Sequence, residues 1–351
     1  MVKALKELPR ARLTNLPTPL HEVRHLSELL GGPKILFKRD DATGLALGGQ
    51  KARMLEFPFG DAIAKGCDVV VSVGDEDSNL STFMSAAAGK LGMDAVLVFL
   101  KRGRSELQGN ALLMNLFDPV MIQTEFGGEL EGRNAAKLLA GDIVHELQER
   151  GRHPYIIHYG ESEEPLESVG YFYCAQEIID QLKEMGTTAQ YLYVANASGL
   201  TQAGLALGAK YFHAPFKVRG IMTITGMERK ERQRVIAKIA SEVSNLVGAG
   251  ITIDPDELIL NDEQIMDLGG ESVHQISQQC IDAIRLVAKT EGILLDPHYT
   301  GKAMASLIDD IRKGKFSSED TVIFYHTGGV PIIFPHYKEL QRKIRTSYKD
   351  L

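Results

Sequence analysis

The stretch CDVVVSVGDEDSNLSTFMSAAAGKLGMDAVLVFL, residues 67–100, carries the pattern that decides the fold. Two short apolar runs rich in valine, at 67–74 and 94–100, lie on either side of a helical pattern at 79–91. Apolar runs without polar alternation are typical of strands that are buried on both faces, and such strands occur mainly in parallel sheets. The stretch therefore predicts a strand–helix–strand unit of a parallel sheet.

The same alternation continues in both directions along the chain. Predicted strands cover 34–41, 119–124, 155–160, 191–198, 218–225 and 321–329, and predicted helices cover 107–117, 134–150, 167–185, 201–211, 228–247 and 274–290. We therefore predict an α/β fold with mostly parallel strands and with helices on both faces. The length of 351 residues favours two domains over one.

Composition argues against several classes of function. A formal net charge of -7 without a basic patch argues against binding to nucleic acid. No stretch approaches the roughly 18 apolar residues of a membrane span, and we expect no signal peptide at the N-terminus. The three cysteines lie far apart without CxxC spacing, which argues against a zinc site or a disulfide framework and favours a reducing cytoplasm.

Polar or glycine-rich segments follow four of the predicted strands. These segments are GDEDSN at 74–79, GESEE at 160–164, ASGLTQAG at 197–204 and HTGG at 326–329. In open α/β sheets, ligands bind beyond the carboxyl ends of the strands. The four segments therefore predict a binding site at this edge of the fold.

A lysine follows two glycines in LALGGQKARMLEF, residues 45–57. Gly48 and Gly49 precede a helical pattern, and paired glycines at such a place indicate that the backbone lies close to another group. An isolated lysine at a helix start is usually solvated. Lys51 is therefore a candidate for function only in combination with other segments.

Two of the candidate segments also have an ordinary structural interpretation. Ser198, Gly199, Leu200 and Thr201 lie where a helix is predicted to begin, so their N–H and hydroxyl groups suit a phosphate. The alternative is that Thr201 only caps the helix. The acids at 75–77 either form a solvated turn that suits the helix dipole or face a cleft and favour a cationic group.

Residues 9–57 resemble the start of the family of D-cysteine desulfhydrases and 1-aminocyclopropane-1-carboxylate deaminases, to which L-cysteate sulfo-lyase also belongs. The resemblance continues through DSN, LQGN, ASGLTQAGL, TEGILLDPHYTGKAMASLID and HTGG, in this order and over nearly the whole chain. It implies pyridoxal 5'-phosphate (PLP) as cofactor and PLP fold type II. In this fold PLP lies between a large domain, here 1–51 and 163–351, and a small domain, here 52–162. A cytoplasmic homodimer is also implied.

The resemblance also implies cofactor contacts. Lys51 matches the lysine that forms the Schiff base with PLP. Asn79 matches the residue that hydrogen-bonds the 3-hydroxyl of PLP, and Thr300 matches the residue that faces the pyridine nitrogen. A hydroxyl at that place, unlike the glutamate of the aminocyclopropane deaminases, is expected not to hold the nitrogen protonated. The phosphate loop corresponds to residues 198–201, namely Ser198, Gly199, Leu200 and Thr201.

Four residues are implied to contact the substrate. Ser78 matches a residue that contacts the substrate carboxylate and takes part in proton transfer, and Asn79 and Asp77 lie beside it. Tyr299 matches a tyrosine that acts as acid, base or nucleophile near the substrate. From its place in a turn alone, Tyr299 is equally compatible with packing of its ring.

The chain departs from the family at several positions close to the expected substrate. Gln50 replaces an asparagine, Met54 a lysine, Asp77 a glutamine and Leu80 a histidine or glutamine. Val273 occupies the place of a second active-site tyrosine. An acid at position 77 would repel a substrate carboxylate unless it is protonated or paired. We therefore expect the cofactor chemistry to be retained and the substrate to have changed.

The expected activity is that of a PLP-dependent lyase or deaminase that acts on a small amino acid. Elimination of a β-substituent would yield a keto acid and ammonia. Alternatives on the same scaffold are aminocyclopropane carboxylate deamination, racemisation, β-replacement and C–C cleavage. A third interpretation is a binding protein that has lost catalysis; loss of the family residues at Met54 and Val273 favours it, and retention of Lys51 and Tyr299 argues against it.

Overall fold

A computed structural model describes residues 5–75, 77–100, 107–124, 129–157, 165–224, 227–261 and 275–342 of the chain. Strands in these residues are β1 (Leu20–Glu22), β2 (Lys34–Arg39), β3 (Val69–Asp75), β4 (Asp94–Leu100), β5 (Val120–Thr124), β6 (Pro154–Ile156), β7 (Tyr191–Asn196), β8 (Lys217–Met222), β9 (Ile259–Asn261) and β10 (Thr321–His326).

Helices are α1 (Arg24–Leu30), α2 (Gln50–Ala64), α3 (Asn79–Leu91), α4 (Gly109–Phe117), α5 (Glu129–Glu149), α6 (Leu166–Glu184), α7 (Leu200–Tyr211), α8 (Arg229–Val247), α9 (Gln278–Glu291), α10 (Thr300–Arg312) and α11 (Tyr337–Leu340). Short 3-10 helices cover Asp40–Ala42, Pro255–Glu257 and Val330–His336.

The strands form two sheets. The larger sheet has the order β1-β2-β10-β7-β8-β9, and its strands are parallel except at the β1–β2 pair. The smaller sheet has the order β5-β4-β3-β6, and all its pairs are parallel. These sheets confirm the predicted α/β class. The strands of the smaller sheet fall within 52–162, and the two domain boundaries remain a proposal.

Both faces of the sheets are buried. Along β10, Val322 and Phe324 pack in one apolar cluster with α1, α9 and α10, whereas Ile323 and Tyr325 pack in another with α6, α7 and α8. In the smaller sheet, alternate valines of β3 pack against α5 on one face and against α2 and α3 on the other. Burial on both faces explains why the strands lack polar alternation in the sequence.

Each predicted strand and helix has a counterpart in the structure, and the differences lie at the ends. The predicted strand at 34–41 ends at Arg39, because Asp40 and Asp41 begin a 3-10 helix. The predicted strand at 321–329 ends at His326. Helix α5 begins at Glu129, earlier than predicted. Strands β1 and β9, with three residues each, are too short to show a pattern and were not predicted.

A cluster of buried charges fixes α2 against the larger sheet. Arg53 donates to both carboxylate oxygens of Asp40, with 2.8 Å from Nε to Oδ2 and 2.8 Å from Nη2 to Oδ1. Glu177 of α6 accepts from Arg53 at 3.1 Å and from Lys38 at 2.5 Å. Tyr325 of β10 also donates to Asp40. Burial opposes the ionisation of Asp40, but Arg53 and Lys38 together lower its pKa to about 2.

Substitution of Arg53 by methionine is expected to lower the free energy of unfolding by about 3–5 kcal/mol, because it leaves a buried carboxylate without its main partner. Urea denaturation followed by circular dichroism measures the change.

The matched control is Arg150→Met, which breaks an exposed pair. Arg150 lies 3.4 Å from Glu146, and their side chains are 73% and 64% exposed. This control is expected to cost less than about 1 kcal/mol. Equal losses in the two variants would show that the buried cluster does not anchor α2.

Candidate active site

Close packing of the backbone defines the turn that leads into α2. This turn comprises residues 48–51, the last two of which already belong to α2, and we call it the lysine turn. Gly48 has a φ of +79°, and a Cβ there would lie 1.8 Å from the carbonyl oxygen of Asp41. A Cβ on Gly49 would lie 2.9 Å from the ring of Phe83 on α3. Since these approaches exclude a side chain, the two glycines before Lys51 are required by the shape of the turn.

The lysine turn contacts two further loops through hydrogen bonds. Gly49 forms a β-bridge with Gly328, and the N–H of Gln50 donates to the carbonyl of Thr327 at 2.9 Å. The hydroxyl of Thr201 donates to the side-chain carbonyl of Gln50 at 3.1 Å. The start of α2 therefore lies against the HTGG segment after β10 and against the phosphate loop before α7.

The phosphate loop, residues 198–201, is fixed by its backbone conformation and by a side chain of α8. Helix α7 begins at Leu200 with Gly199 as its N-cap, at a φ of +102°, so the interpretation of Thr201 as a simple helix cap is wrong. Arg232 of α8 donates to the carbonyl of Ser198 at 2.9 Å. This bond ties the backbone of the loop to α8, so the start of α7 is fixed from two sides, by Arg232 and by the contact of Thr201 with Gln50.

The start of α3 carries Ser78 and Asn79. Ser78 is the N-cap, and its hydroxyl accepts from the N–H of Ser81 at 3.3 Å. Asn110 of α4 donates its amide to the side-chain oxygen of Asn79 and to the carbonyl of Asp77, both at 2.8 Å. This pairing orients Asn79 so that its own amide N–H groups are the donors available to a ligand.

Tyr299 and Thr300 form the start of α10. Tyr299 is the N-cap and Thr300 is the first helical residue. Both N–H groups donate to the buried carboxylate of Asp296, at 2.8 and 2.9 Å. A Cβ on Gly329, in the HTGG segment, would lie 2.9 Å from the Asp296 carboxyl carbon. The HTGG segment therefore links this helix start to the lysine turn.

Lys51 differs from the two buried lysines in its surroundings. Its Nζ lies 3.3 Å from the thioether sulfur of Met54. Lys38 donates to three oxygens, those of Thr18, Glu177 and Gln181, so its ammonium is fully engaged. Burial lowers the pKa of Lys302, which donates to the Thr223 carbonyl at 3.3 Å. A lowered pKa makes the amine of Lys302 an alternative candidate for covalent attachment to a carbonyl group.

His326 is buried and neutral at the end of β10. Its Nε2–H donates to the Leu294 carbonyl at 3.0 Å, and its Nδ1 accepts from the N–H of Gly328 at 3.2 Å. Burial lowers its pKa, and the opposing effects of Asp41 and Arg39 follow in size. Protonation of Nδ1 would remove the bond that shapes the HTGG segment.

Comparisons with known proteins agree with this geometry. The sequence profile of the family described as "Pyridoxal-phosphate dependent enzyme" matches residues 11–328. A D-cysteine desulfhydrase of Yersinia enterocolitica is 33% identical over 341 residues, covering 96% of this chain and 98% of that protein. A 1-aminocyclopropane-1-carboxylate deaminase of Rhizobium leguminosarum is 33% identical over 336 residues, covering 94% and 96%.

The solved structure of an ACC deaminase homologue superimposes with a TM-score of 0.81 at 33% identity, and 95% of each chain is covered. The fold is that of PLP fold type II enzymes, and PLP is the cofactor of such proteins. The chain belongs to the family of pyridoxal-phosphate dependent enzymes, in the group that contains the D-cysteine desulfhydrases and 1-aminocyclopropane-1-carboxylate deaminases.

The donor groups of this chain fit PLP. The amine of Lys51 would hold the aldehyde carbon, and the hydroxyls of Ser198 and Thr201 with the start of α7 would hold the phosphate. The amide of Asn79, which Asn110 orients, would donate to the ring oxygen. The close approaches at Gly48 and Gly49 are to the Asp41 carbonyl and the Phe83 ring, and they fix the backbone that carries Lys51.

Sequence reasoning missed three residues that shape this site. Asn110 lies in the matched LQGN segment, so the motif marked its place but not its role. Arg232 lies in RKERQRVIAKIA, where an arginine on an amphipathic helix gives no signal of burial. Asp296 lies in the matched segment before α10, and only its hydrogen bonds reveal what it does.

The structure describes four of the five positions at which the sequence departs from the family. Gln50 contacts the phosphate loop, Met54 is buried against Lys51, and Leu80, the second residue of α3, is buried in the apolar core. Asp77 directly precedes the N-cap of α3, so it is not the cap itself. Val273 and the GESEE segment lie outside the described residues.

Membrane-spanning helices and metal-binding clusters are absent from the described part of the chain. No helix there is both long enough and apolar enough to cross a bilayer. No group of three or more histidine, cysteine or acidic side chains there is arranged to hold a metal ion.

The buried His326 predicts a loss of stability at acidic pH. The unfolded chain takes up the proton near the ordinary histidine pKa of about 6.5, whereas the folded chain takes it up only at lower pH. Above about pH 6.5 this histidine therefore does not reduce the free energy of unfolding. The free energy of unfolding decreases as the pH is lowered from about 6.5 through the pKa of His326 in the folded chain. Urea denaturation of the PLP-loaded protein between about pH 7.5 and pH 5 measures this slope.

The control variant is His326→Asn, whose side-chain oxygen takes the place of Nδ1 but does not titrate. Its stability is expected to depend less on pH than that of the parent. If both proteins lose stability with the same slope, protonation of His326 is not the cause.

Proposed function

We propose that this enzyme is a lyase for a small amino acid, which expels a substituent from Cβ and releases a keto acid and ammonia. The hydrogen bond from Thr201 to Gln50 carries the proposal, because through it residues 198–201, the proposed phosphate loop, contact the turn that includes Lys51. The β-bridge between Gly49 and Gly328 supports it from the other side. A solvated lysine without a function would not be expected to lie in a turn that contacts both residues 198–201 and the HTGG segment.

PLP supplies an aldehyde for the attachment of an amine and an electron sink for the electron pair that remains on Cα when its proton leaves. The amine of Lys51 is proposed to hold the cofactor and to take the proton from Cα of the substrate. The Ser78 hydroxyl and the N-terminal end of α3 are proposed to bind the substrate carboxylate, because backbone N–H groups and the helix dipole favour an anion there. The phenol of Tyr299 is proposed to move a proton at the substrate.

The overall reaction balances without any oxidant. The bond from Cβ to its substituent breaks, the substituent leaves with a proton, and water replaces the amino group to give the keto acid and ammonia. Two relatives are named for D-cysteine and for 1-aminocyclopropane-1-carboxylate. We favour elimination over ring opening because Thr300 and Val273 occupy the places of a glutamate and a tyrosine of the aminocyclopropane deaminases.

Asp77 is proposed to select the substrate. The peptide carbonyl of Asp77 accepts from the side-chain amide of Asn110. This bond fixes Asp77 next to Ser78 at the N-terminal end of α3. An ionised aspartate only accepts hydrogen bonds, whereas the glutamine of the family also donates. If its side chain faces the substrate, it favours one with an additional ammonium or other donor over a simple anionic amino acid.

A panel of D- and L-amino acids with leaving groups on Cβ, together with 1-aminocyclopropane-1-carboxylate, tests the reaction. Release of ammonia and of the keto acid in equal amounts from a β-substituted amino acid is the expected result. A change of chirality without ammonia, or 2-oxobutanoate from the cyclopropane substrate alone, would contradict elimination.

Asp77→Gln is expected to raise kcat/KM for D-cysteine or cysteate relative to substrates that carry a second ammonium. One charge–carboxylate contact is worth about 1.5–3 kcal/mol, so the ratio should change by roughly tenfold or more. The control is Asp94→Asn, which removes a charge at the opposite end of the same sheet, where the side chain is 68% exposed. Unchanged ratios in Asp77→Gln would show that Asp77 does not select the substrate.

A further inference from the structure

Asp296 is a fully buried carboxylate in the loop before α10. Its Oδ1 accepts from the N–H groups of His298 and Tyr299, at 2.9 and 2.8 Å. Its Oδ2 accepts from the N–H of Thr300 at 2.9 Å and from the hydroxyl of Thr300 at 2.5 Å. Four donors converge on the two oxygens and leave no place for a carboxyl proton, so the geometry is that of an ionised carboxylate.

Two hydrogen bonds use the proton and one of the two acceptor positions of the Thr300 hydroxyl. It donates its only proton to Asp296 and accepts from the N–H of Asp296 at 2.7 Å. A hydroxyl has one proton and two acceptor positions. Thr300 can therefore offer a further ligand only its second acceptor position.

We propose that Asp296 is a positioning residue that makes Thr300 a hydrogen-bond acceptor, so that the pyridine nitrogen of bound PLP faces Thr300 in its protonated form. The proposal rests on the placement of Thr300 at the pyridine nitrogen, which is part of the proposed function. A hydroxyl by itself was expected not to hold the nitrogen protonated. The carboxylate behind the hydroxyl changes that expectation, because two acceptors facing each other would repel.

The packing around Asp296 strengthens this effect. Gly329 has a φ of +92°, and a Cβ there would lie 2.9 Å from the Asp296 carboxyl carbon. The HTGG segment thus covers the carboxylate and excludes water from it, and hydrogen bonds to a charge are stronger where water is excluded. Burial raises the pKa of Asp296, and its four hydrogen bonds oppose the rise. A protonated ring nitrogen beyond the hydroxyl would further favour the ionised carboxylate.

The alternative role of Asp296 is only to cap α10. A cap of this kind stabilises the helix start in every state of the protein, with or without cofactor. It would leave the protonation of a bound ring unaffected. The two roles therefore differ in a spectroscopic property of the cofactor.

The test is the 15N chemical shift of PLP labelled at the pyridine nitrogen, measured on the loaded enzyme. The shift separates a protonated from an unprotonated ring nitrogen and does not require turnover. The parent and Thr300→Ser are expected to show the protonated nitrogen. Thr300→Val, which lacks the hydroxyl, and Asp296→Asn, which lacks the charge, are expected to show the unprotonated nitrogen.

Affinity for PLP is measured beside the shift by titration of the cofactor-free protein. Thr300→Val is expected to weaken binding by about tenfold or more, and Thr300→Ser by much less, since only the first loses a hydrogen bond to a charged group. If Asp296→Asn does not fold, the pair of Thr300 variants still decides between the two roles.

An unprotonated nitrogen in the parent would overturn the proposal, and so would a protonated nitrogen that persists in Thr300→Val. These outcomes are independent of the reaction. A protonated nitrogen in an enzyme that releases no ammonia and keto acid from the substrate panel would support the role of Asp296 and contradict the proposed elimination.

Discussion

The approach of two glycine backbones, at Gly49 and Gly328, is the contact on which the candidate site depends. A Cβ on Gly328 would lie 2.6 Å from the Cα of Gly49, so the bridge forms only where both residues lack side chains. It joins the end of β10 to the start of α2, and Gln50 extends the connection to α7. The first turn of α2, which includes Lys51, is consequently held in place from two sides, and fixed placement is what the proposed reacting amine requires.

Two buried carboxylates support this turn in different ways. Asp40 meets the guanidinium of Arg53, and the pair anchors α2 just beyond Lys51. Asp296 accepts from three N–H groups and a hydroxyl at the start of α10. The first arrangement neutralises a charge inside the fold, and the second, in the role proposed for Asp296, acts on a ligand through Thr300. A buried carboxylate can thus serve either the scaffold or the site, depending on its donors.

The sequence predicted the sheets well because β3, β4 and β10 are continuous apolar runs, whose burial on both faces leaves a strong signal. The glycines at 48–49 indicated a close backbone approach, which the structure has, whereas the roles of Lys51 and of residues 198–201 came from the family resemblance and stay predictions. The sequence did not predict the cluster around Arg53 or the role of Asp296. Those depend on residues far apart in the chain, such as Asp40 and Glu177, whose meeting is decided by tertiary packing and not by local pattern.

The central claim is that Lys51 carries PLP, and reduction of the loaded enzyme with borohydride tests it most directly. Reduction fixes the cofactor covalently to the lysine that holds it, and mass spectrometry of the peptides identifies that lysine. The account predicts the pyridoxyl group on Lys51 in the parent and no adduct in Lys51→Ala. Lys302, with its lowered pKa, is the strongest competitor in the described chain. An adduct on Lys302 or another lysine, with Lys51 unmodified, would contradict the account.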